Sequence, residues 1–151
     1  MRLILILLVL LPFDSHSTSK EELVVGNWKC DSFTIGEEDA DIFDVTHTVE
    51  YRADGTSTDI HLYKLRGMEA QVWIKVAHTG PWKIQGDLLI EKAELTEILD
   101  AAIPELTKSE EMLQALSFEG ETFISDIIEL TKSKFVTKDH ELDELGTCVK
   151  I

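Results

Sequence analysis

Cys30 and Cys148 are the only cysteines of the chain, and nearly the whole domain lies between them. In an oxidising compartment, that placement predicts one disulfide tying the first structured segment to the last. A fold whose first and last strands are neighbours gives such a bond a natural geometry, and a closed antiparallel barrel is the simplest case. On the chain-entropy model, closing so long a loop restrains the unfolded state by on the order of 4–5 kcal/mol.

The compartment is read from the N-terminus. Arg2 supplies a short positive region, residues 3–13 an apolar core, and Ser15-His16-Ser17 small residues at the −3 and −1 positions. This is the pattern of a cleaved export signal, with cleavage expected after Ser17. The apolar run is too short for a bilayer core of about 30 Å, which takes about 20 residues. Residues 1–17 are therefore expected to leave a secreted or periplasmic chain with no stable membrane span. Residues 18–151 suit one domain with one core. The formal charge of −15 disfavours nucleic acid and anionic membranes, since phosphate contacts need Lys and Arg. It suits solubility and would attract a cationic protein partner.

Most of residues 24–90 read as strands. In residues 45–52, Val45, His47, Val49 and Tyr51 alternate with Thr46, Thr48, Glu50 and Arg52, the period-2 pattern of a half-buried strand. Asp54-Gly55 suits a two-residue type I′ turn, with 56–65 as the return strand. That turn pairs Ala53 with Thr56. It sets His47 against Leu62, Val49 against Ile60 and Tyr51 against Thr58 on one face, and leaves His61 on the wet face. A further strand over 70–79 carries Val72, Ile74, Val76 and His78 on one side, and Gly80-Pro81 breaks it. Residues 82–85 and 88–91 flank Gly86-Asp87 as a tight hairpin, with the inward choice between Leu88 and Leu89 left open. A third hairpin spans 121–138, pairing Leu130 with Phe135 and Ile128 with Thr137. Residues 148–151 form a last short strand.

Between these hairpins the period changes. Leu95, Ile98, Leu99, Ala102, Ile103 and Leu106 follow amphipathic helical spacing, and Pro104 should end or bend that helix. Thr107 and Glu110 match a capping box opening a second helix. The helical insertion is expected over about 95–117, as a lid on the barrel mouth or packed outside the wall. The fold class expected is therefore all-β: an antiparallel up-and-down barrel of about eight strands with a short helical insertion before the last strands.

Two motifs add a resemblance. Gly26-Asn27-Trp28 opens the first strand, and Gly80-Pro81-Trp82-Lys83-Ile84 precedes Gly86-Asp87. Over roughly residues 23–151 the chain resembles the lipocalin-like (calycin-type) barrels, and the second motif looks like the central hairpin of small bacterial secreted members. The resemblance implies that Trp28 packs across the closed base while the other end opens onto a ligand cavity. It also implies a basic residue near the last strand to stack on that tryptophan, for which Lys150 is available. The chain departs from the family in lacking a Thr-Asp-Tyr-like motif on a late loop and in placing its helices before the last hairpin.

The cavity candidates are His47, Val49, Tyr51, Ile60 and Leu62, where His47 and Tyr51 could orient a small apolar or amphipathic ligand through one or two hydrogen bonds. His47 and His78 share a face, but no Cys or His spacing marks a metal site, so neither metal nor cofactor is expected. No Gly-x-Ser-x-Gly elbow and no phosphate-binding loop is present, and no enzymatic activity is expected. Two readings result: a binding protein for a small apolar or amphipathic molecule, and an acidic barrel that binds or inhibits a cationic protein.

Overall fold

A computed structural model describes residues 18–36, 41–67 and 72–151; the expected export signal at 1–17 lies outside them. The elements are α1 (Lys20–Val24), β1 (Gly26–Ile35), β2 (Phe43–Tyr51), β3 (Thr56–Leu65), β4 (Trp73–Gln85), β5 (Leu88–Lys92), β6 (Leu95–Ala101), a 3-10 turn (Pro104–Lys108), α2 (Glu110–Leu116), β7 (Thr122–Leu130), β8 (Lys134–Asp139) and β9 (Leu145–Lys150). Eight strands close an antiparallel ring in the order β1-β2-β3-β4-β5-β7-β8-β9, and β6 adds to β4 from outside that cycle.

The expected seam is present. β9 lies antiparallel to β1 with Cys148 opposite Cys30, and the two are joined as a disulfide. Cys30 is buried on the face it shares with Trp28, so Val149 points out and is 49% exposed. The register breaks between Cys30 and Phe33 on the β2 side. This local bulge turns the rest of β1 toward the barrel rim.

Trp28 is fully buried at one end of the ring, among Val24, Tyr51, Trp82, Leu89 and Phe135. Its indole Nε1 donates to the Val24 carbonyl at 2.6 Å. The Lys150 ammonium lies 4.9 Å from the ring centroid and donates to the carbonyls of Leu23 and Val25 at 3.1 and 2.7 Å. One cation thus covers the tryptophan and satisfies carbonyls at the end of α1. Gly26 fits here because its φ is +135° and a β carbon would meet the Lys150 stem. α1, not anticipated from the sequence, is held by a capping box of Ser19 and Glu22.

Several local expectations are corrected. Asp54-Gly55 is not a two-residue turn. Arg52 N donates to Thr56 O and Gly55 N to Arg52 O, Thr56 N donates to Asp54 Oδ1, and Gly55 adopts φ +82°. This is the three-residue hairpin loop with a left-handed glycine. It moves the pairing by one residue, so His47 faces His61, Val49 faces Asp59 and Tyr51 faces Ser57. In the third hairpin Leu130 does pair with Phe135, but a bulge sets Ile127, not Ile128, against Thr137.

Gly80-Pro81 does not break β4, which runs through both residues. β6 pairs with its first half, at Ile74–Thr79, and β5 with its second, at Trp82–Gln85. The crossing chain passes so close that a β carbon at Gly80 would run into the Lys92 carbonyl. The missing N–H of Pro81 falls at this change of partner, where the loss of a ladder bond is tolerated.

Residues 95–101 form a strand, not the first turns of a helix. The free edge of β4 offers ladder hydrogen bonds that an isolated helix could not match. A bulge at Leu99 shifts the alternation, so Ile98 pairs with Val76 while Asp100 pairs with Lys75. Thr96, Ile98 and Ala101 then face inward, and Leu99 is left 47% exposed. Helical structure is confined to 104–116, and Ser109, not Thr107, caps α2 by accepting from Met112 N. Leu106, Met112 and Leu116 pack against Val45, Tyr63, Ile74, Val76 and Ala101. Val45, Tyr63, Ile74 and Val76 lie on the inward faces of their strands. The insertion therefore covers the inner face of the sheet at the end of the barrel away from Trp28.

Candidate functional site

Between the Trp28 base and the helical segment lies a cavity of about 650 Å³, within the usual range for small-molecule sites. β2 contributes His47, Val49 and Tyr51; β3 contributes Ser57, Asp59 and His61; β4 contributes His78; and β5 contributes Leu89 and Glu91. Phe118, Phe123 and Phe135 complete an aromatic wall. The base is packed by Tyr51 edge-on to Trp82 (5.2 Å between centroids) and to Phe135 (6.3 Å). At the far rim, Phe33, Ile35, Leu142 and Leu145 line the same cavity and are exposed to solvent.

The polar groups of the lumen form one cluster. His47 Nε2 lies 2.7 Å from Asp59 Oδ1, and His61 Nε2 lies 3.4 Å from Asp59 Oδ2. The His61 ring meets those of His47 and His78 edge-on, at 4.8 and 5.2 Å between centroids. Phe118 packs on His78 at 4.7 Å. His61 Nδ1 is 3.2 Å from the Tyr63 hydroxyl, and His78 Nδ1 is 3.1 Å from Thr96 Oγ1. Side chains of Asp59 and His47 are 30% and 24% accessible, and both line the lumen, which accounts for that surface.

The electrostatics follow from this crowding. Burial works to raise the Asp59 pKa, but His47 and His61 beside it outweigh that and hold the carboxylate well below its usual range. Burial works against protonation of His47, yet the adjacent Asp59 carries its pKa above the ordinary value. Glu91 is pushed up to about 7 by burial and then by the Asp59 charge, with Tyr51 and His47 pulling the other way. Burial, then the nearby Glu91 carboxylate, keeps the Tyr51 hydroxyl well above its ordinary pKa. His78 is pushed down to about 4 by burial and then by His61. At neutral pH the lumen thus holds an ionised Asp59, a neutral Tyr51 and His78, and a Glu91 near its midpoint.

Of the residues expected in the cavity, His47, Val49 and Tyr51 line it. Ile60 and Leu62 do not. The one-residue change of register turns them to the other face of β3 and brings Asp59 and His61 in. Trp28 lies beneath the lumen and is not part of its lining. Asp59, His61, Glu91 and Phe118 were missed. The available signal was Asp59-Ile60-His61 itself, two polar residues at period 2 in a strand whose face depended on the length of one loop. The sequence spacing also offered no metal set, whereas the fold gathers His47, Asp59 and His61 with ligand atoms within 4.8 Å of one another.

The fold and lumen define an antiparallel eight-stranded barrel with a ligand-sized interior, an architecture consistent with the lipocalin-like resemblance. No protein-family model matches the chain, and no curated protein matches its sequence.

Proposed function

We propose that this is a lipocalin-like binding protein, exported to the periplasm or beyond, that holds a small amphipathic molecule in its lumen without acting on it chemically. The observation that carries the reading is the mixed lining of the 650 Å³ cavity. Phe118, Phe123, Phe135, Leu89 and Val49 suit an apolar body. His47, Asp59, His61 and Glu91 suit a polar head, which would gain orientation from a few placed hydrogen bonds. The apolar rim of Phe33, Ile35, Leu142 and Leu145 offers an entry surface to a poorly soluble ligand. Export is supported by the expected signal at 1–17 and by the disulfide. Among the described residues, no helix is long and apolar enough to cross a membrane.

Native mass spectrometry of protein purified from its own host tests this. The expected result is a retained small molecule that Val49→Trp, which fills the lumen, removes without loss of the circular-dichroism spectrum of the fold. A bare polypeptide mass, together with no displaceable binding of an environment-sensitive fluorescent amphiphile, would overturn it. The second reading, capture of a cationic protein, is favoured by the net charge of −15 and by Asp31, Asp139 and Glu144 along the cavity lining. It predicts a protein complex that dissociates with added salt and is insensitive to Val49→Trp.

A further inference from the structure

The lumen cluster holds unmet bonding capacity. Among the described residues, three buried side-chain polar atoms have no hydrogen-bond partner: His47 Nε2, Asp59 Oδ1 and His78 Nε2. All three belong to lumen-lining residues. His47 Nε2 and Asp59 Oδ1 are 2.7 Å apart and attract each other as an ion pair when His47 is protonated, but the approach lacks the geometry of a full hydrogen bond. An imidazole nitrogen and a carboxylate oxygen, enclosed by protein and incompletely hydrogen-bonded, keep lone-pair capacity that a metal ion can take up.

From this geometry we infer that His47, Asp59 and His61 form a binding site for a divalent transition-metal ion of the zinc class. The ligand chemistry fits: two imidazoles and a carboxylate are the set used by zinc sites that keep an open position. The spacing fits as well. Donors at about 2.0–2.2 Å from a tetrahedral ion stand roughly 3.3–3.5 Å from one another. The donor separations here include 2.7 and 3.4 Å, and none exceeds 4.8 Å, so small side-chain rotations suffice.

The supporting contacts are in place too. The Tyr63 hydroxyl on His61 Nδ1 (3.2 Å) leaves Nε2 toward Asp59, the arrangement by which outer partners orient metal-bound imidazoles. β2 and β3 are paired throughout this region, with His47 opposite His61 and Asp59 two rungs along on the same face, so the three ligands are held by one rigid ladder. All three line the cavity, which leaves the fourth position to water or to the head of a bound molecule. This inference is independent of the amphiphile: the ion needs only the protein.

The test uses the exported chain with its disulfide intact, stripped of organic ligand by solvent wash and of metal by chelator. Zinc is titrated by calorimetry, and cobalt(II) by visible absorption, which reports tetrahedral coordination. One equivalent should bind, with Asp59→Asn and His61→Gln each weakening it at least about tenfold. His140→Gln should leave it unchanged, since His140 pairs with Asp126 on the surface. Should a variant fail to fold, imidazole NMR of the unaltered protein carries the test. Zinc must then shift the ring nitrogens of His47 and His61 and not those of His140. Absence of stoichiometric uptake, uptake undiminished in folded variants, or ring shifts confined to His140 would overturn the assignment.

Discussion

Glu91→Gln should make the protein more stable, and increasingly so as the pH rises. In the folded chain Glu91 sits in the lumen with its pKa at about 7, against an ordinary 4.5. Between those values the folded state holds a proton that the unfolded state has released. Stability therefore falls as pH rises through that window, and the full cost is present above pH 7. At about 1.4 kcal/mol per pH unit the separation corresponds to about 3.5 kcal/mol, and the partial exposure of Glu91 to the open lumen brings the expectation to about 2–3 kcal/mol. Glutamine matches the neutral acid in shape and can still donate a hydrogen bond, so the two proteins should be nearly equal at pH 4.5. His78, held neutral down to about pH 4, has the opposite sign: it makes stability rise from pH 4 to 6.5. It is common to both proteins and drops out of the difference. Guanidinium unfolding at pH 4.5, 6, 7 and 8, with disulfide intact and chelator present, should show the gap opening with pH. A difference that is constant across the series would refute the reasoning, because it would mean that Glu91 is ionised to the same extent in both states.

Reduction of the Cys30–Cys148 bond, which spans 118 residues of sequence, should cost on the order of 5 kcal/mol on the chain-entropy model; the guanidinium midpoint with and without reductant measures it. The oxidised protein should also weigh two hydrogens less than the reduced one and resist alkylation. Lys150→Met should destabilise by about 1–3 kcal/mol, because it removes the cation over Trp28 and the donor to the Leu23 and Val25 carbonyls. Tryptophan fluorescence of the native state should shift with it.

The barrel was legible because its main signals are local. Period-2 runs, the Gly86-Asp87 turn and the placement of two cysteines each follow from a few residues. The lumen was less legible, because its contents depend on register, and register hung on whether Ala53 belongs to the loop or to the strand. That single residue decides whether β3 presents Ile60 and Leu62 or Asp59 and His61. The segment 95–101 was misread for a different reason. Its apolar spacing is helical only if Leu99 counts as a buried position, and the bulge that expels Leu99 is set by pairing with β4, a partner distant in sequence. Tertiary hydrogen bonding overrode local periodicity there.

The placement of Lys150 and α1 at the Trp28 base has a practical side. β9 runs from Leu145 at the cavity rim to Lys150 beneath the tryptophan, and Ile151 N donates to Asn27 O at 2.9 Å. At the other end, Lys20 anchors α1 to the turn between β4 and β5 through the Gly86 carbonyl and the Asp87 carboxylate. Both ends of the described chain thus leave from the same pole, opposite the mouth. Whatever is joined to either end, be it a surface, a label or another domain, holds the barrel by its floor and leaves its opening facing away.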